Sequence, residues 1–134
     1  MSTLKPFLYD AGALIAAERN HAAFWRAPHS YLTAGGVPLV PAPVVSQAWR
    51  DGARHVQLAR LLSGCDIPPT DHRLARGVGE LVGRAEVPDP VDGTVAVLAA
   101  QLGARVFTSD PDDIQHLLDH MGPIGKQARI WALS

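Results

Sequence analysis

The sequence predicts an α/β domain with a short central parallel sheet flanked by helices on both sides, and three stretches carry that reading. Asp89 to Ile114, DPVDGTVAVLAAQLGARVFTSDPDDI, reads as a helix, a tight turn at Gly103, a buried strand over Ala104 to Thr108 and the start of another helix. That is half of a parallel α/β unit. The short apolar run Pro6-Phe7-Leu8-Tyr9 leads through Asp10 into a helix rich in Ala, Leu and Ile that extends to about Arg19. Ala128 to Leu133 supplies a last strand.

Composition bounds the function classes. With 134 residues, 47% of them hydrophobic, and a mean hydropathy of +0.05, residues 1–134 suit one domain that buries its own core. The single cysteine, Cys65, allows no internal disulfide and points to a reducing cytoplasm. MSTLKPFLYD lacks the apolar core of a signal peptide, and no run approaches the ~20 apolar residues of a membrane span, so a cytoplasmic protein with no membrane association is expected. There is no GxGxxG or Walker-type loop, which removes most support for nucleotide-cofactor binding. The six histidines, His21, His29, His55, His72, His116 and His120, are read as showing no HxxxH, HExxH or Cys/His spacing, and a zinc site is not expected.

Net charge is −1, but its distribution is uneven: Asp51 to Arg84 carries five arginines, whereas Glu86 to Asp119 carries seven acids and one arginine, Arg105. The pattern allows one basic face and one acidic pocket, or simply solvated helix faces.

In chain order, the small residues after Asp10 permit a close strand-to-helix turn. Ala22 to Leu32 reads as a short helix interrupted by Pro28, with Phe24, Trp25 and Tyr31 as core or interface aromatics. Val37 to Val40 is the second strand. Pro41 and Pro43 then introduce a helix, VVSQAWRDGARHVQLARLLSG, broken at Asp51-Gly52 and ended by Gly64. Cys65 to Pro69 gives a short strand-like crossing, and Thr70 can cap a helix running to about Arg84, weakened by Gly77, Gly79 and Gly83. Gln115 to His120 completes the helix after the acidic stretch, and Gly122 to Gly125 is a turn.

Two helix starts share a pattern, Asp89-Pro90-Val91-Asp92 and Asp110-Pro111-Asp112-Asp113. An Asp at the N-cap, a Pro at the first helical position and a nearby acid suit a helix N-terminus, so capping alone accounts for any one of these acids. It does not account for Asp10, which ends the first strand and in a parallel sheet reaches the same carboxyl edge, where ligands bind in open α/β folds. Two carboxylates about 4 Å apart repel by roughly 4 kcal/mol at an effective dielectric near 20. A convergent set of acids therefore binds a divalent cation or takes up protons, and oxygen-only donors select hard ions such as Mg²⁺ or Mn²⁺.

LYDAGALIAAE, PAPVVSQAWR and VDGTVAVLAAQLGARVFTSDPDDI together resemble the PIN-domain family, and within it the ribonuclease toxins of type II toxin–antitoxin pairs, the virulence-associated protein C type (VapC-like). The resemblance spans nearly the whole chain. It implies a PIN-like fold and a Mg²⁺- or Mn²⁺-dependent endoribonuclease. Residue by residue, it assigns metal-ligating and catalytic roles to Asp10, Asp92 and Asp110, and an accessory role to Asp113, with Thr108 or Ser109 in support. It also implies a homodimer and a cognate antitoxin that occludes the cleft. One position departs from the family pattern: Gln47 stands where a Glu is usual, and Glu18 is a candidate to compensate. RNA is expected to track along Arg50, Arg54 and Arg60. The alternative is a catalytically weakened PIN-like module that binds RNA or protein, with the retained acids serving as helix caps. A phosphotransfer domain is disfavoured because Asp10-Ala11-Gly12 lacks the second acid of a DxD motif.

Overall fold

The computed structural model describes residues 6–19, 35–52 and 55–133. Strand β1 (Phe7–Tyr9) leads into α1 (Ala11–Glu18), and β2 (Pro38–Leu39) into α2 (Ala42–Ala48) and α3 (Val56–Ser63). Then come α4 (His72–Ala85), α5 (Pro90–Leu102), β3 (Arg105–Thr108), α6 (Pro111–Asp119), a 3₁₀ segment (Gly122–Gln127) and β4 (Arg129–Ala132). The strands form one parallel sheet in the order β2-β1-β3-β4. Leu8 sits opposite Leu39 on one side and Val106 on the other, and Val106 opposite Ile130. The mixed α/β architecture with a helix-flanked parallel sheet is the one the sequence predicts.

Covering both faces of a parallel sheet makes its central strands continuously apolar, and β1 and β3 show this. Phe7, Leu8, Tyr9, Val106 and Phe107 are all buried. Phe7 packs edge-on against Tyr9 and Phe107, with ring centroids 5.7 and 5.6 Å away. Helix α5 is buried almost all round, from Gly93 to Val97 and at Ala99 and Ala100, as a helix inside the core must be. Gly93 is what lets α4 approach it: a Cβ there would lie 2.7 Å from Val82 Cγ1 and 2.9 Å from Val78 Cγ1. Gly103, at φ 61°, ends α5 in the left-handed conformation that turns the chain into β3.

Several elements differ from the sequence reading. The helix predicted from Val44 to Gly64 with a break at Asp51-Gly52 is two helices, as that break implies, but the first ends already at Ala48 and the second starts at Val56. The Arg50 guanidinium closes the first, with Nη1 donating to the carbonyls of Ser46 (3.0 Å) and Trp49 (2.8 Å). The strand-like crossing predicted over Cys65 to Pro69 is present as a parallel bridge between Leu39 and Asp66, with the Val40 amide donating to the Asp66 carbonyl (2.8 Å) and the Ala42 amide to the Pro68 carbonyl (3.0 Å). Asp71, not Thr70, caps α4, accepting from the Leu74 amide at 2.8 Å. The Gly122 turn is a 3₁₀ helix pressed onto α6, where a Cβ on Gly125 would lie 2.1 Å from the Leu118 carbonyl oxygen. The predicted Ala22–Leu32 helix, its three aromatics and Arg54 lie outside the described residues.

Candidate active site

Parallel register places the ends of β1 and β3 side by side, since Tyr9 pairs with Phe107. The residues that follow, Asp10 and the Thr108-Ser109-Asp110 turn, therefore leave the sheet at one corner. The backbone amide of Asp10 donates to the Phe107 carbonyl at 3.3 Å, which fixes the two strand ends together. Closeness also constrains α1. A Cβ on Gly12 would fall 2.0 Å from Ser109 Oγ and 3.4 Å from Asp10 Oδ1, so the small residue after Asp10 lets the first turn of α1 sit against the β3 end.

Capping accounts for some of these acids and not for others. Asp10 is buried and caps α1, accepting from the Ala13 amide at 2.8 Å. Asp89 caps α5, accepting from the amides of Val91 (3.0 Å) and Asp92 (3.1 Å). Asp110 occupies the corresponding position of α6, yet its side chain makes no capping hydrogen bond. Asp92, in the first turn of α5, is not the cap of its helix either.

Thr108 joins the two strand-end acids. Fully buried, it accepts from the Asp110 amide at 2.8 Å through Oγ1, and its side chain is hydrogen-bonded to Asp10. A carboxylate can only accept, so the hydroxyl donates to Asp10 and favours its charged form. The Ala13 and Gly12 amides act in the same direction. Burial outweighs all three, and the Asp110 charge adds to it, so the Asp10 carboxyl is raised above its ordinary range.

Asp92 shows the crowding most directly. Burial and then the charges of Asp89, Asp10 and Asp110 push its carboxyl up to about 7. Among the described residues, every influence on it raises the pKa and none is a cation. The corner thus collects acids that repel one another, the condition under which a divalent ion or a proton is taken up. The donors are oxygens only. Among the described residues no group of three or more His, Cys, Asp or Glu side chains is placed so as to hold a metal ion. An ion such as Mg²⁺ needs fewer, since it uses one or two carboxylates directly and keeps several waters.

The remaining predicted residues are more dispersed. Asp113 is exposed in the first turn of α6 and lines a shallow depression of about 220 Å³ with Ser109, Asp110, Pro111 and Asp112. Gln47 is exposed on α2 and Arg60 on α3. Glu18, at the far end of α1 from Asp10, pairs with the ring Nδ1 of buried His55, whose Nε2 accepts from the Arg50 amide at 3.0 Å. Trp49 packs on the same ring, with centroids 5.2 Å apart. Glu18 is thus part of a junction holding α1 to the start of α3. The sequence reading did not find His55, because a lone histidine at a helix start carries no spacing signal.

No family model matches the sequence, and no curated protein matches it. Among solved structures, the chain is similar to the crystal structure of VapBC2 from Rickettsia felis bound to a DNA fragment from their promoter. The two share 14% sequence identity over 96% of this chain and 99% of that chain, with a TM-score of 0.70. At that identity the likeness establishes the fold, which is PIN-like over nearly the whole length. Among the described residues no helix is long and apolar enough to cross a membrane.

Proposed function

We propose that the protein is a metal-dependent endoribonuclease that hydrolyses RNA phosphodiester bonds, and that it is the ribonuclease component of a toxin–antitoxin pair. The observation that carries the reading is the convergence of Asp10 and Asp110, from adjacent strand ends, on Asp92, with no cation among the described groups acting on it. The acids sit beyond the carboxyl ends of parallel strands, where open α/β sheets bind their ligands. The similarity to a toxin–antitoxin complex supports the second half of the proposal, and with it a cognate antitoxin; a homodimer is proposed on the sequence resemblance alone.

Asp10, Asp92 and Asp110 would hold Mg²⁺ or Mn²⁺, partly through water, with Asp113 as an accessory acid at the rim. A divalent ion there supplies an activated water for in-line attack and neutralises charge on the phosphoryl oxygens and leaving group. Thr108 holds the Asp10 carboxylate in place while its backbone partner, the Asp110 amide, fixes the turn that presents Asp110. Arg60, exposed on α3, would contact phosphate along the bound RNA, and Arg54 is assigned the same role on the sequence alone, whereas Arg50 is already engaged by its own helix end. Single-stranded RNA is the accessible substrate, since its bases can be splayed out.

A second reading, a PIN-like module that binds without cutting, is favoured by one position. Gln47 is neutral and exposed where the resembled family carries Glu, which leaves the site one charge short. Cleavage of an RNA panel in Mg²⁺ or Mn²⁺ by wild type, Asp10→Asn, Asp92→Asn and Gln47→Glu separates the two. The nuclease reading predicts metal-dependent cuts that both Asn variants lose. Cutting by Gln47→Glu alone, with an inert wild type, establishes the binding module instead.

A further inference from the structure

We infer that α6 carries a second metal site, distinct from the acidic corner, in which His116 and His120 bind a borderline transition-metal ion such as Zn²⁺, Ni²⁺ or Cu²⁺. His116-Leu117-Leu118-Asp119-His120 is an HxxxH spacing, which puts both imidazoles on one face of the helix one turn apart. Both residues are exposed, so water can complete the coordination shell.

The hydrogen bonds define which nitrogens are available. His116 Nε2 lies 2.9 Å from the carbonyl oxygen of Ala85, the last residue of α4. His120 Nδ1 lies 2.8 Å from the carbonyl oxygen of His116. Carbonyl oxygens only accept, so each of these nitrogens carries the ring N–H. In the neutral imidazoles the lone pairs are then on His116 Nδ1 and His120 Nε2. An imidazole whose N–H is held by a backbone carbonyl has a fixed tautomer and an oriented free nitrogen, the arrangement that metal-ligating histidines use.

The ring separation agrees. With metal–nitrogen distances of about 2.0–2.1 Å, two imidazoles on one tetrahedral ion have centres roughly 5 Å apart. The His116 and His120 centroids are 4.7 Å apart, with the planes inclined at 63°. The Ala85 and His116 carbonyls hold the two rings in edge-to-face contact by one nitrogen each, which leaves the second nitrogen of each ring for a ligand. No third His, Cys, Asp or Glu among the described residues completes the set, so the protein supplies two ligands. Imidazole favours Zn²⁺, Ni²⁺ and Cu²⁺ over Mg²⁺, so the two sites on this protein sort ions by hardness.

The test is calorimetric titration of Ni²⁺ and Zn²⁺ into the full chain without an affinity tag, as wild type, His116→Gln, His120→Ala and Asp10→Asn. Gln keeps an N–H donor for the Ala85 carbonyl, and circular dichroism checks that each variant is folded. Two ligands on one helix bind as a chelate, so either histidine substitution is expected to weaken binding by about tenfold or more, with Asp10→Asn unchanged. Absence of binding to wild type overturns the inference, as does undiminished affinity in either histidine variant. Loss of binding in Asp10→Asn places the ion at the acidic corner and overturns it too.

Discussion

Replacing Asp92 by Asn is expected to abolish metal-dependent activity and yet make the metal-free protein more stable at neutral and alkaline pH. In the folded chain the Asp92 carboxyl is raised from 3.8 to about 7. Between those values the folded state retains a proton that the unfolded state has released, so stability falls as pH rises through this window. The contribution is fully present below about pH 4 and lost above about pH 7. Moving a carboxyl over that interval corresponds to about 4 kcal/mol for a fully shielded group. Asp92 is partly exposed, and solvent screening, together with the favourable position of an acid at a helix start, reduces the figure to roughly 1–2 kcal/mol. Asn has no charge to bury, and its amide can still donate to Asp89 as the protonated carboxyl does. Thermal unfolding in EDTA is the assay. The variant is expected to melt roughly 3–8 °C above wild type at pH 8, with the gap closing toward pH 4.5. A variant equal to or less stable than wild type at pH 8, or a gap that does not narrow in acid, would refute the idea that Asp92 sits among uncompensated acids.

Other consequences are equally specific. Thr108→Val removes the hydroxyl between Asp10 and the Asp110 amide, and is expected to cost about 1–3 kcal/mol in denaturant unfolding while reducing cleavage. Unchanged stability would mean that the hydroxyl does not join the two strand ends. Gly125→Ala drives a Cβ into the Leu118 carbonyl and is expected to destabilise by roughly 2–4 kcal/mol, whereas an Ala at exposed, unobstructed Gly79 is expected to be neutral or stabilising. On the nuclease reading, Arg60→Ala lowers RNA affinity and reduces the magnitude of the logarithmic salt slope by about 1. Arg50→Ala changes it less, because that guanidinium is spent on the Ser46 and Trp49 carbonyls; equal effects in a salt-dependent binding assay would contradict this assignment.

The fold was legible where local signals and burial agree. The Asp89 to Ile114 stretch reads correctly from sequence because an apolar helix, a glycine turn and a short β-branched and aromatic strand leave few alternatives. It failed where tertiary contacts decide. The break at Asp51-Gly52 was visible in the letters, but the first helix stops earlier, at Ala48, where the Arg50 guanidinium takes the Ser46 and Trp49 carbonyls. Thr70 and Asp71 are both plausible caps, and only geometry chooses between them. At the site, acid types and spacing located the corner. Which acids are occupied by capping and which are not could be seen only in three dimensions: Asp89 and Asp10 hold helix amides, whereas Asp110 does not. Reading the histidines as lacking an HxxxH spacing was an error: His116-Leu117-Leu118-Asp119-His120 is one, and it was visible in the letters.

Direct Mn²⁺ binding at the acidic corner tests the central claim most closely. Free Mn²⁺ is followed by electron paramagnetic resonance as wild type, Asp10→Asn and His120→Ala are titrated. The account predicts Mn²⁺ uptake by wild type and by His120→Ala, and its loss in Asp10→Asn. Uptake that Asp10→Asn leaves untouched, or no uptake by wild type at all, would contradict the account, because the converging acids would then be balanced without a cation.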